Sequence, residues 1–279
     1  IDTPRQIAES DAGTIFVGSR NGGKITAIDR NKNIRIIAED LSNATGVTYH
    51  KGDLYFSEVN SIWKIPNIDN VLKNSSAMPE KVLVTDNLPS DTWHGWKWID
   101  FGPDDKLYVP VGAPCNICNP SMEEKYNFDK RYASIMRLND DDWEFVARGV
   151  RNTVGFDWHP KTNNLYFGDN GRDWMGDDMP ACELNVVNEI DSFYGYPYKH
   201  AMNVLDPEYS KKIPNGMEEF IDPILELGAH VAPTGLSFYN GDLFPAKYKN
   251  VLFMTLHGSW NRSRKVGYKV IAVHFDEDG

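Results

Sequence analysis

Residues 148–185 read RGVRNTVGFDWHPKTNNLYFGDNGRDWMGDDMPACELN and gather a cation, several amides and a run of carboxylates. Arg151 and Asn152 stand just before a strand-like run over 153–159. A second strand-like run over 164–168 opens into Asp169-Asn170-Gly171-Arg172-Asp173, with Asp177, Asp178 and Glu183 following. A fixed cation beside an oxygen-rich loop suits an anionic cofactor held together with a hard metal ion, because calcium prefers carboxylate and carbonyl oxygens. A solvated acidic loop between two strands fits the same residues.

Three cysteines occur, Cys115, Cys118 and Cys182. The close pair in PCNIC at 114–118 reads as a short disulfide, a redox pair or half a zinc site. A second CxxC or a nearby histidine pair is missing, which argues against structural zinc. Redox catalysis would want a thioredoxin-like βαβ setting, which the pattern lacks. A local loop staple is the favoured reading, and it implies an oxidising compartment.

The elements that must place these groups are short strands. Apolar triplets recur at 15–17, 54–56, 107–109, 165–167 and 252–254. Four have a companion strand upstream, at 46–49, 98–101, 155–158 and 235–238, joined by turn-like links such as HKGD at 50–53 and GPDD at 102–105. Third strands are expected at 24–28, 61–65, 134–138 and 268–273, and fourth strands at 34–38, 81–84 and 143–147. A four-stranded antiparallel unit recurring in this way is the pattern of β-propeller blades, about five of them here. The widening intervals imply loop insertions, the largest between Asp173 and His230, where a polar stretch at 203–219 suits a short helix. The final DEDG at 276–279 is a turn signal that normally leads into another strand. The expectation is one propeller domain over 1–279, either a fragment without its closing blade, which is the favoured reading, or a propeller that closes with five blades.

Composition sets outer bounds. A chain of 279 residues with 41% hydrophobic and 12% aromatic residues can bury a sizeable core. A net charge of −11 argues against a nucleic-acid surface, which needs a basic stripe. No apolar run reaches the roughly 18 residues of a spanning helix. The first residue is Ile1, and the start reads as a processed or trimmed end.

Several motifs together resemble the soluble quinoprotein sugar dehydrogenases of the glucose/sorbosone dehydrogenase family, most closely the sorbosone-dehydrogenase-like branch. They are WHGW at 93–96, FGPDDKLYVPVG at 101–112, GVRNTVGFDWHP at 149–160, GDNGRD at 168–173, YGYP at 194–197, HVAP at 230–233 and LHGSWNRS at 256–263. The resemblance implies a six-bladed propeller that binds pyrroloquinoline quinone (PQQ) and calcium and is exported to the periplasm or beyond. His94 matches the family's general base, a role a neutral imidazole fills near neutral pH; its own surroundings in sequence fit equally a histidine packed among Trp93, Trp96 and Trp98. Arg151 matches the arginine facing the reactive quinone carbonyl, where a fixed cation stabilises developing negative charge. Asn152 matches a cofactor contact, and Asn170 stands where some members carry Gln, which suits a side-chain contact to PQQ. His230 aligns with a position where glucose-oxidising members carry a cofactor-contacting Thr, and Arg262 is the choice for the basic residue that the family places on the cofactor carboxylates in the region of 257–262. Gly171 and Arg172 match positions whose main-chain carbonyls hold calcium. Arg172 stands where better-known members carry proline, which puts the loop's rigidity in question.

The expected activity is hydride transfer from an aldose- or sorbosone-type sugar to calcium-bound PQQ, with electrons leaving to an external dye, cytochrome or quinone. Two alternatives keep the fold: a calcium-dependent lactonase working through a metal-bound water, and a non-catalytic binding propeller.

Overall fold

The computed structural model describes residues 1–140, 142–217 and 219–275. The fold is all-β, with five small antiparallel sheets following one another along the chain as blades of a β-propeller. The chain divides into two compact units, residues 1–109 and 110–279. The turn signal at 276–279 lies outside the described residues.

The first unit holds β1 (Pro4–Glu9), β2 (Ile15–Ser19), β3 (Lys24–Ile28) and β4 (Ile34–Ala38), paired in chain order. A second sheet follows as β5 (Val47–His50), β6 (Asp53–Ser57), β7 (Ile62–Ile65) and β8 (Val82–Thr85), again in chain order. One short helix, α1 (Ile68–Asn74), leaves the second sheet between β7 and β8. Alternation works as the sequence suggests: in β6, Leu54 and Phe56 are fully buried while Tyr55 between them is not. Phe16, Ile25 and Ile37 of the first sheet share one core with Leu54, Phe56 and Ile65 of the second. Burying each of the two phenylalanines contributes about 2–3 kcal/mol.

The β5–β6 link shows how a turn fixes register. His50 pairs with Asp53, leaving the two-residue loop Lys51-Gly52 with φ of 48° and 92°. Two successive positive φ values give a hairpin turn whose twist matches the strands, and glycine takes the second at no steric cost. Next come β9 (Asp100–Phe101) and β10 (Leu107–Val111), and the boundary between the units falls inside β10.

The second unit continues the third blade with the hairpin β11 (Ser134–Asn139) and β12 (Asp142–Arg148). The fourth sheet pairs β13 (Phe156–Trp158), β14 (Leu165–Asp169) and β15 (Ala181–Val187), and is completed from further along the chain. A short strand β16 (Ser192–Phe193) runs parallel to β12. A small hairpin follows, β17 (Lys199–His200) with β18 (Val204–Leu205). Then β19 (Leu225–Ala229) returns to pair with β15. The fifth sheet, β20 (Pro233–Phe238), β21 (Leu252–Leu256) and β22 (Lys269–Val273), has three strands among the described residues. Tyr166 and Leu184 of the fourth sheet pack with Leu236, Phe238, Leu252 and Met254 of the fifth.

The long interval after Asp173 is therefore only partly insertion, because it supplies β15 and β19, two strands of the fourth blade. Within it, where a short helix was expected, the described residues form a single 3-10 turn, Ser210–Lys212.

Candidate functional site

The site is assembled where β14 ends. Asp169, the last residue of that strand, is buried, and its two carboxylate oxygens accept the backbone N–H groups of Arg151 at 2.8 Å and Asn152 at 2.7 Å. One carboxylate thus pins the turn that carries the cation to the start of the polar loop. Asn170 adds a second tie: its side-chain NH₂ donates to the carbonyls of Asn152 (2.9 Å) and Pro233 (3.2 Å), which commits its donors to the protein.

Arg151 is buried, at 4% exposure, and its guanidinium is gripped on three sides. Nε donates to the Asn116 carbonyl at 2.9 Å, Nη2 to the Asn116 side-chain oxygen at 3.0 Å, and Nη1 to the Asn170 carbonyl at 3.0 Å. The Asp173 carboxylate lies 3.5 Å from Nη2. A guanidinium carries five N–H donors, so one Nη1 hydrogen keeps no partner among the described residues. The side-chain amide of Asn152, also buried, makes no hydrogen bond to any described residue.

Gly171 and Arg172 differ from the loop expected of a bare turn. A Cβ on Gly171 would stand 3.0 Å from the Ala181 carbonyl oxygen and 3.3 Å from Pro180, so glycine lets the loop lie close on the chain beneath it. Arg172, which stands where better-known members carry proline, is tied down through its side chain. Its side chain is 5% exposed and pairs with the fully buried Asp206 at 2.5 Å and with Glu208 at 3.2 Å, while Nε donates to the Asp173 carbonyl. His200 Nε2 also meets Asp206, at 2.9 Å. Burial alone would raise the Asp206 carboxyl, but hydrogen bonds from His200, Arg172 and two backbone amides hold it well below the usual carboxylate range. Burial in turn lowers His200, leaving a neutral ring that donates to the carboxylate. Neither the Gly171 nor the Arg172 carbonyl accepts a hydrogen bond from a described residue. Two such oxygens on adjacent residues fit a hard cation.

Beside this loop, Glu183 of β15 lies opposite Asp169 across the ladder. Burial raises both carboxyls, and the Asp169 charge raises Glu183 further, so Glu183 keeps its proton at neutral pH. Its oxygens accept the Ala201 N–H at 2.6 Å and the Asn185 amide at 3.0 Å. Cys182, next to it, is a buried free thiol that burial raises above the ordinary range.

The remaining expected site residues sit as follows. His230, at φ 61°, donates from Nε2 to the Gly176 carbonyl at 2.8 Å and faces Asp173 with Nδ1 at 3.8 Å. Arg262 binds the Asp177 carbonyl and the Asp178 carboxylate, the latter at 2.9 Å, so it braces the loop at 177–178. His94 belongs to the first unit, half-buried at φ 52°, with the exposed Trp93 ring edge-on at 5.8 Å. Among the described residues, no group of three or more His, Cys, Asp or Glu side chains is placed to hold a metal. No described helix is long and apolar enough to cross a membrane.

Sequence reasoning missed Asn116. It lies in the loop that Cys115 and Cys118 close with a disulfide, the staple favoured from the sequence. The Tyr196 hydroxyl accepts the Cys118 N–H at 3.1 Å and so seats this loop. Flanking cysteines were the available signal, but they said nothing about what the residue between them touches.

Known proteins match this architecture. The TrAA12-like family model matches residues 1–279. An uncharacterized protein of Borreliella burgdorferi is 37% identical over 99% of this chain and 73% of its own length. The holo form of the pyranose dehydrogenase PQQ domain from Coprinopsis cinerea superposes with a TM-score of 0.76 at 19% identity, over 98% of this chain and 75% of that one. The calcium structure of the Trichoderma reesei family AA12 carbohydrate-active enzyme gives 0.76 at 19% identity, over 99% and 78%.

Proposed function

The chain belongs to the TrAA12-like family, and from that membership and the cluster around Arg151 we propose that it is a quinoprotein oxidoreductase acting on an aldose- or sorbosone-type sugar with PQQ and calcium. PQQ, when bound, supplies a two-electron hydride acceptor, and calcium supplies a Lewis acid at its oxygens. The observation that carries the reading is one hydrogen-bonded cluster holding a buried guanidinium with a spare N–H beside two carbonyls that accept no hydrogen bond. Gly171 and Arg172 would hold the metal through those carbonyls. Arg151 and Asn152 would bind the cofactor's oxygens, with Asn170 Oδ1, His230 and Arg262 as further contacts.

Arg151 keeps a positive charge fixed where negative charge develops, and preorganisation of this kind is often worth several kcal/mol. His94 takes the proton of the sugar hydroxyl on an imidazole nitrogen, so that no free alkoxide has to form. Electrons leave to an external acceptor, a dye, cytochrome or quinone. The reading extends to an exported protein, periplasmic or secreted, and the Cys115–Cys118 bond supports it, since such bonds persist in oxidising compartments.

Reconstitution with PQQ and calcium, followed by dye reduction over a panel of sugars, tests the proposal. Reduction that disappears in His94→Ala is expected. Lactone hydrolysis without PQQ, or saturable PQQ binding with no sugar oxidised, overturns it.

A further inference from the structure

We infer that Asn116 is the positioning residue of this site, setting the distance between Arg151 and the loop at 170–173, and that the Cys115–Cys118 bond keeps it in place. The inference rests on the quinoprotein reading above. Asn116 has two working faces. Towards Arg151, its main-chain carbonyl and side-chain oxygen form a fork that receives Nε and Nη2 at 2.9 and 3.0 Å. Towards the loop, the same side-chain oxygen accepts the Asp173 N–H at 2.8 Å, while its NH₂ donates to the Asp173 carbonyl at 3.0 Å. One residue therefore bonds the guanidinium and both main-chain groups of Asp173, the residue after the carbonyl pair.

The chemistry requires an amide. An aspartate at 116 would still accept from Arg151 and from the Asp173 N–H. It would lose the donor to the Asp173 carbonyl and add a charge near the Asp173 carboxylate, itself 3.5 Å from Arg151. Alanine would lose every side-chain bond and keep only the carbonyl.

A polar residue in a four-residue loop would ordinarily sample many conformations, and ordering it costs backbone entropy. Here the disulfide closes residues 115–118, and cross-linking removes many of those alternatives. The Tyr196 hydroxyl lies 3.3 Å from Cys115 Sγ and accepts the Cys118 N–H, and the Asn119 NH₂ donates to the Tyr198 hydroxyl at 2.7 Å. Asn116 thus reaches across 35 residues to Arg151 and 57 to Asp173 from a fixed base.

The test compares the full chain with Asn116→Ala, Asn116→Asp and the Cys115→Ser/Cys118→Ser double variant, in two readouts. One is the calcium affinity of the PQQ-loaded protein, read from the cofactor's absorbance, together with kcat and KM. The other is amide hydrogen exchange of the ligand-free chain over 170–174, with β14 as the internal control. Asn116→Ala is expected to weaken calcium binding and lower kcat by about 10–100-fold, with little change in sugar KM and faster exchange at 170–174 alone. Asn116→Asp should fall in the same direction; it carries the test if the alanine variant does not fold.

Dithiothreitol gives two electrons and two protons to the Cys115–Cys118 bond, leaving two thiols and its own cyclic disulfide. Reduction should move calcium affinity the same way, and reoxidation should restore it. Unchanged affinity, kcat and exchange in both Asn116 variants, with a wild type that oxidises sugar, overturns the inference and leaves the quinoprotein reading standing. A wild type that takes up no PQQ removes both.

Discussion

Replacing Lys97 by methionine should stabilise the folded chain, by an amount that shrinks as pH rises. The Lys97 side chain is 1% exposed, and its ammonium group has one partner among the described residues, the Gly95 carbonyl at 2.7 Å. Burial pushes the amine down from 10.5 to about 7. Below pH 7 the lysine is protonated in both folded and unfolded chains, and the folded state carries the whole cost of a desolvated charge. At 1.36 kcal/mol per unit, that cost is on the order of 4–5 kcal/mol. Between about 7 and 10.5 the unfolded chain holds a proton that the folded chain has released, so stability rises with pH and the cost fades. Methionine has a similar length and no charge, so its advantage should be greatest near pH 6 and fall to roughly half by pH 9. Urea unfolding of both proteins across that range measures the gap. A gap that does not vary with pH, or a methionine variant less stable throughout, would refute the argument.

Two other perturbations have worked signs. Glu183→Gln removes a carboxyl that folding holds protonated. The wild type should lose stability as pH rises from about 4.5 to about 8, and the variant should show a flatter profile in thermal melts over that window. The variant should fold, because Asn185 has a buried side-chain oxygen without a partner that a flipped amide can offer to the new NH₂. Arg172→Ala strips Asp206 of its buried cation and should cost about 3–5 kcal/mol, since the stranded carboxylate stays buried. A loss below about 1 kcal/mol in denaturant titration would show that the pair does not brace the loop.

What the sequence made legible follows from where the ordinary rules hold. The central strand of every blade was readable because apolar residues there alternate or run continuously, as in β6 and β14. The first strand, β1, escaped because it inverts the pattern. Gln6 is buried while Ile7 is 61% exposed, and the Gln6 amide bonds Ile99 and Val47 from inside the unit. Strand β15 hid for a related reason, since buried Glu183 and Asn185 make it look polar. Helix α1 buries only Ile68 and starts at Asn67 with no side-chain cap, so neither periodicity nor a capping signal marks it. Within the site, Arg151, Asn152 and the loop were legible because they lie close together in the chain. Asn116, Asp206 and His200 were not, because their contacts depend on how the strands return in space.

The third cysteine gives the staple one more property. Cys182 is buried, and its thiol is held in the protonated form that cannot act as a nucleophile. Disulfide exchange needs an attacking thiolate with access to a sulfur. Once β15 is in place, the chain's own spare sulfur is withdrawn from that chemistry, and the bond between Cys115 and Cys118 yields only to a reductant arriving from solvent.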